Sequence, residues 1–251
     1  MSATFATDLL GWKKADKTGR IVPNSADSDN EQSIALAGSV LDSLGALRVV
    51  TPDTPPKPGP VLEQKVMSDL SRILPEADPT RTWKLDRKEL VTSFAQYSHL
   101  RRVDELVKES PELRVAIGRD YLIKPDVTVG LSDPSLAHSP DPFLHAAVSC
   151  KWTIRSDRVQ NIRHEFIQMI RHRRGRQPHL VTVTAEPLPS RIAAIARGTG
   201  EVDAVYHIAF DAMAHAVSVV GNRQQQDDWH ECVEQRRVLP YEELAPTLIR
   251  W

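Results

Sequence analysis

The chain has 251 residues, with 18 prolines and 11 glycines, which is long enough for one large domain with a sizeable core. Its apolar fraction of 41% and charged fraction of 26% are those of an ordinary globular protein, and no stretch approaches the ~18 apolar residues of a membrane span. A net charge of −1 leaves a polyanionic partner undecided. Cys150 and Cys232, with no CxxC and no Cys/His metal spacing, argue against a disulfide framework and for a reducing cytoplasm.

The N-terminal MSATFATDLLGWKK carries charge early and lacks a long apolar core, so it does not read as a signal peptide. The polar, turn-rich PNSADSDNEQS that follows reads as a disordered arm or as a loop that orders on a partner. A helix is expected over about 31–46. The segment 51–60, TPDTPPKPGP, with five prolines in ten residues, reads as an extended connector. In VLEQKVMSDLSRIL, Val61, Leu62, Val66, Leu70, Ile73 and Leu74 recur at helical spacing. A further helix is expected over about 86–108.

From here the pattern changes. Segments 121–130, 144–154, 179–185 and 202–210 read as strands, with helices at about 159–173 and 190–198, the latter stopped by Gly198. The remainder reads as helical with a polar break at Gln224–Asp228. Strands alternating with helices imply an α/β architecture. The first two strands have no obvious crossover helix between them, so the sheet should be mixed rather than purely parallel. We expect a single domain over 1–251: a helical N-terminal part to about 110, an α/β core over about 111–220, and a tail over 221–251.

Two positions carry a chemical signal. Asp126 follows Pro125 among β-branched residues, where an aspartate is costly to bury unless something binds it. On the next strand, alternation puts His145, Ala147, Ser149 and Lys151 on one face and the more apolar set with Cys150 on the other. Cys150 reads as a small core residue. An aspartate on one strand and a lysine at the end of the next can hydrolyse a phosphodiester with magnesium, a hard cation suited to oxygen ligands. Asp126 and the backbone carbonyl of Cys150 would be ligands, and Lys151 would orient the water and counter developing charge. Glu165, fourteen residues past Lys151 beside the stripe Val159, Ile162, Phe166 and Ile170, is a further candidate acid. The alternative for Glu165 is a surface glutamate paired with Arg158 or His172. Glu63 is a candidate too, or an exposed helix carboxylate. From Arg155 to Arg176 there are seven arginines and two acids, a band that fits nucleic acid approached from one side or a solvated helix face.

The block SCKWTIRSDRVQNIRHE (149–165) resembles the NgoMIV-type restriction endonucleases, a CCGG-core-recognising group of the PD-(D/E)xK nuclease fold. TAEPLPSRIAAIARGTGEVDAVYH (184–207) resembles the same family, and 110–126 and 23–40 do so more loosely. The resemblance implies a restriction-endonuclease-like mixed sheet flanked by helices and Mg2+-dependent cleavage of double-stranded DNA. It implies that Asp126 and Glu165 are metal-site acids, Lys151 is the catalytic lysine, and Glu63 is the remaining acid. It places Arg155, Asp157 and Arg158 where the family reads CCGG. An arginine can bond guanine O6/N7 in bidentate fashion and an aspartate can accept from cytosine N4, while Asp157 also suits a helix N-cap. Arg191 and Asp27 match positions that read the outer G:C pair of GCCGGC in the family's type member. The proline-rich 52–60 departs from a region that supplies a minor-groove contact there. Cleavage after the first G, and a homotetramer built as a dimer of dimers, follow from the same resemblance; a palindromic site demands at least a homodimer. The basic run 171–176 would meet phosphates or a neighbouring subunit. Two alternatives stand beside this reading: a nuclease of the same fold with a repair or less specific role, and a DNA-binding protein that does not cut. Arg155, Asp157 and Arg158 together argue against the first, and the joint presence of the acids and the lysine against the second.

Overall fold

The computed structural model describes residues 2–16, 18–52, 54–132, 141–198 and 200–250, without the side chains of 156–158. In chain order the elements begin with α1 (Ala6–Leu9), a two-stranded antiparallel ribbon of β1 (Trp12–Lys14) and β2 (Ile21–Pro23), α2 (Glu31–Ser43) and α3 (Pro58–Ala77). They continue with β3 (Thr82–Arg87), α4 (Ser98–Glu109), α5 (Pro111–Ile117), β4 (Val127–Ser132), β5 (Phe143–Lys151) and α6 (Ser156–His172). The chain closes with β6 (His179–Thr184), α7 (Pro189–Ala196), β7 (Ala204–His207), α8 (Phe210–Val220), α9 (Arg223–Glu234), β8 (Val238–Pro240) and α10 (Leu244–Arg250).

Six strands form the main sheet in the order β3-β4-β5-β6-β7-β8. The β3/β4 and β4/β5 pairs are antiparallel, and the next three are parallel, so the sheet is mixed, as the missing crossover before β5 implied. His145, Ala147 and Ser149 are buried as fully as Leu144, Ala146 and Val148. Both faces of β5 are therefore covered, as parallel sheets require. Helices α3 and α10 pack on each other, α3 also lying on β3 and β5. The crossover helix α6 packs beside α7 and buries Ile162, Phe166 and Met169.

Several expectations are corrected. Residues 82–87 form a strand, not the start of a helix at 86; their partial burial alternates at first, they pair with all six residues of β4, and the helix starts at Ser98. The segment 121–126 is irregular and pairing begins at Val127, because Pro125 has no N–H to donate and biases the residue before it. The strands expected at 144–154 and 202–210 are shorter, ending at Lys151 and spanning Ala204–His207. The polar residues Gln224–Asp228 lie inside α9, and the helix break falls at Gly221 and Asn222, whose side chain caps α9 by accepting from the Gln225 N–H. A short strand, β8, completes the sheet from the tail. Residues 24–30 are an ordered loop rather than a disordered arm. Asn24 accepts from the Gly11 N–H and donates to the Leu9 carbonyl, and Asn30 caps α2 through the Ser33 N–H. The loop 133–140 lies outside the described residues.

At the β4/β5 bulge, Gly130 sits in close quarters: a Cβ there would lie 3.1 Å from Phe94 and 3.3 Å from the Lys84 carbonyl oxygen, so a side chain would need its neighbours to give by a few tenths of an ångström. Leu144 is fully buried on the central strand. Leu144→Ala should cost about 2–5 kcal/mol, read as a lower urea midpoint with an unchanged slope; a loss under ~1 kcal/mol would place that layer outside the core.

Candidate active site

The register explains why Asp126 meets Lys151. Val127 at the start of β4 is opposite Val148 on the antiparallel β5. The residue before β4 therefore lies beside the last turn of the pleat on β5. Asp126 Oδ2 accepts from the Cys150 N–H at 2.8 Å and from Lys151 Nζ at 2.6 Å, with the Ser149 hydroxyl at the limit of 3.5 Å. Asp126 Oδ1 accepts no hydrogen bond among the described residues. The Cys150 side chain is buried and burial pushes its thiol well up, so it is a small core residue with an inert sulfur.

Lys151 opens on a cleft of roughly 510 Å³ whose walls include Lys57–Pro60, Glu63, Cys150, Asn161 and Glu165. The end of the proline-rich connector is thus one wall of this cleft. Glu165, on the face of α6 beside Ile162 and Phe166, has no hydrogen-bond or ion-pair partner among the described residues, and it is not paired with His172. Burial raises its pKa, and the Asp126 charge adds to that rise against the opposing Lys151. Glu165 lines this cleft together with Lys151, and Asp126 contacts that same lysine, so two carboxylates flank one ammonium in a donor set that favours a cation. No three His, Cys, Asp or Glu side chains converge as a metal cluster among the described residues. Any metal held here would combine Asp126 and Glu165 with a backbone carbonyl or water.

Glu63 is nearly buried and accepts from Arg87 Nη2 at 2.8 Å, with Lys88 Nζ at 3.3 Å. Reading 86–108 as helix hid these two cations. They stand at the end of β3, where Lys88 adopts a left-handed backbone with φ of 56°.

Beyond Lys151 the chain passes the buried Trp152 and Ile154 and presents an exposed Arg155 immediately before α6. Trp152 donates its indole N–H to the Asn24 carbonyl, which draws the 24–30 loop against the catalytic strand. That loop brings Asp27 to Arg191, 164 residues away in sequence, with an Nη2–Oδ2 distance of 2.6 Å. Arg191 lowers the Asp27 pKa most strongly, and Arg155 is close enough to add to it. Arg155, Asp27 and Arg191 therefore share one neighbourhood. Asp157 and Arg158 lie in the first turn of α6, but their side chains lie outside those described. The helix begins at Ser156 with Arg155 in the cap position, so Asp157 is not the N-cap. The basic run 171–176 lies elsewhere: the Arg174 N–H donates to the Gln96 carbonyl, and Gln96 also binds Leu144. Leu144 is seven residues from Lys151, about 23 Å along an extended strand.

Glu186 was missed by the sequence reading. It is fully buried, accepts from the N–H groups of Ile154 (2.6 Å) and Leu188 (3.1 Å), and lies 3.9 Å from Arg191 Nη1. Burial pushes its pKa up to about 7 against those three stabilising contacts. No periodicity or motif marks it, since a lone acid after a strand has no signal in one sequence.

Comparison with known proteins adds an independent observation. A family model described as NgoMIV restriction enzyme matches residues 11–135 and 132–245. The type II restriction enzyme NgoMIV of Neisseria gonorrhoeae is 34% identical over 264 residues, covering 93% of this chain and 92% of the relative. The solved structure of the Type IIF restriction endonuclease Bse634I with cognate DNA aligns over 85% of this chain and 97% of its own at 10% identity, with a TM-score of 0.39. Among the described residues, no helix is long and apolar enough to cross a membrane.

The raised Glu165 pKa has a measurable sign. The folded state holds that proton more tightly than the unfolded chain, so the associated stability is complete below the ordinary value of 4.5 and is lost as pH rises through the elevated value. Without divalent cations, Glu165→Gln should gain on the native protein in thermal melts as pH rises from 4.5 to 8. A stability difference that stays flat across that range would contradict the burial assigned to Glu165.

Proposed function

The chain belongs to the NgoMIV restriction enzyme family, is a type II restriction endonuclease, and, we propose, cuts double-stranded DNA after the first G of GCCGGC with Mg2+ as cofactor. The observation that carries this reading is that Lys151 and Glu165 line one cleft while Asp126 binds Lys151, with Arg155 four residues past the lysine. The arrangement is the one expected of a PD-(D/E)xK nuclease whose second acid has moved from the position of Ser149 to the following helix.

Asp126 and Glu165, with the backbone carbonyl of Cys150, would hold the magnesium. When bound, magnesium neutralises the scissile phosphate and lowers the pKa of the attacking water. Asp126 is aligned by the Cys150 N–H and shares Oδ2 with Lys151, so Oδ1 is the oxygen left to face a ligand. The Lys151 ammonium, fixed by that same contact, is placed to donate to charge developing on the phosphate. Glu63, a wall residue of the cleft, completes the acidic set and holds Arg87 and Lys88 beside it, where both can meet the phosphate backbone.

Arg155, Asp157 and Arg158 read the CCGG core from the major groove, and Arg191 with Asp27 reads the outer G:C pair. In the absence of DNA, Asp27 and Arg191 satisfy each other, which keeps two charges from standing unpaired on a partly buried surface. Because the site is palindromic, the working unit is at least a homodimer and, by its family, a homotetramer binding two sites. Many phosphate contacts make binding fall steeply with salt.

Incubating the protein with plasmid DNA and Mg2+ and sequencing the ends tests the site directly. Discrete cuts within GCCGGC are expected; cuts at another CCGG-containing site would overturn the outer-pair assignment, and random nicking would overturn site-specific recognition. Lys151→Ala should abolish cleavage while leaving specific binding in Ca2+ largely intact, and equal loss of both would contradict its catalytic role. Asp157→Ala should cost about 1–3 kcal/mol of discrimination at the cytosines, measured as relative cleavage of singly substituted duplexes; unchanged specificity would remove Asp157 from the base readers.

A further inference from the structure

We infer that Glu186 is a positioning residue that holds the base-reading stem at Ile154–Arg155 and the reader Arg191 in one fixed relation, and so sets sequence discrimination without touching DNA. This rests on the assignment of Arg155 and Arg191 as base readers.

Glu186 follows the carboxyl end of β6, one strand over from Lys151. Its two oxygens are divided between the two reading segments. Oε2 accepts from the N–H of Ile154, the residue directly before Arg155, at 2.6 Å. Oε1 accepts from the N–H of Leu188, the cap position of α7, and lies 3.9 Å from Arg191 on that helix. The backbone of Glu186 is tied as well. Its N–H donates to Thr184 Oγ1 at 3.0 Å, and that hydroxyl donates to the Lys151 carbonyl at 2.7 Å. The Glu186 carbonyl faces His207 Nε2 at 3.2 Å. One buried side chain thus joins the strand that ends in the catalytic lysine, the stem of one reader and the helix of another.

The chemistry of this arrangement is specific to a carboxylate. Two N–H groups point at two different oxygens of one residue, so both must be acceptors. A glutamine keeps the size and one acceptor but turns the other terminus into a donor facing an N–H. Burial of a carboxylate with only a shared arginine nearby is costly. The two buried N–H groups need acceptors in any case, and an arginine that must select a guanine needs its stem held to a fraction of an ångström.

The test compares the native protein with Glu186→Gln, using kcat/KM on duplexes carrying the site that the native protein cuts and on a set with each base pair substituted singly. The kcat/KM at the native site should fall about tenfold or more while the substituted sites change by less than about threefold, so that discrimination narrows. An equal fall at all sites, or no fall at any, would overturn the positioning role. Circular dichroism melts check that the variant is folded; should Glu186→Gln not melt cooperatively, Glu186→Asp, which keeps the charge and retracts it by one methylene, carries the same measurement with the same outcomes. Arg155→Ala run alongside separates the inference from its premise. Discrimination that narrows with Arg155→Ala but not with Glu186→Gln overturns the role of Glu186 alone, and discrimination unmoved by either overturns the assignment of the readers.

Discussion

The contact between Asp126 and the end of β5 organises this protein. One carboxylate oxygen receives the Cys150 amide and the Lys151 ammonium, both from a strand that runs antiparallel to the segment Asp126 leads into. Neither group of the ion pair is more than a quarter exposed. Such a pair gains little net stability, because desolvation offsets much of the attraction. Its value is geometric: it holds an acid and a cation at the carboxyl edge of a sheet whose remaining strands β6, β7 and β8 all end at the same edge. Open α/β sheets place their ligand sites there because loops diverge from that edge and leave a crevice.

Around that contact the charges are deliberately unbalanced. Among the described residues Glu165 faces the cleft without an ion-pair partner, while Glu63 is held by two cations. Burial opposes the ionisation of Glu165, and a divalent cation would offset that opposition. Asp27 and Arg191 neutralise each other, and Glu186 is buried almost alone between two backbone amides. The proposed cleavage and recognition residues share a support because both sets grow from the ends of β5 and β6. Thr184 bonds the Lys151 carbonyl and Glu186 in turn, so displacement of the reading loop would be felt at the lysine.

Much of the plan was legible from residues alone where the pattern was local. The helical stripe of α3, the buried runs of β5 and β6, and the mixed character of the sheet all follow from spacing and from a missing crossover. The strand β3 was not legible. Trp83 and Leu85 alternate with charged Lys84 and Asp86, but two apolar positions are too few to mark a strand until β4 is known to lie beside them. The three residues of β8 are too few to carry a period. The polar stretch Gln224–Asp228 reads as a break, yet two of its members, Gln225 and Asp228, are buried against α7, bonding Ser190 and Arg197 respectively.

By itself, then, the sequence determined the family and the candidate reacting groups: Asp126, Lys151, Glu165 and the arginine-rich block are chemical types at spacings a single chain can display. Only the tertiary structure decided which of them meet. Asp27 and Arg191 are 164 residues apart and become an ion pair because Trp152 binds the Asn24 carbonyl and draws that loop onto β5. The basic run at 171–176, adjacent to the site in sequence, is carried by α6 toward the opposite end of β5. Glu186 acquires a role solely from two amides supplied by separate segments. Spacing along a chain encodes local geometry, whereas proximity across a sheet depends on strand order and register, which arise only when all the segments bury their apolar faces together.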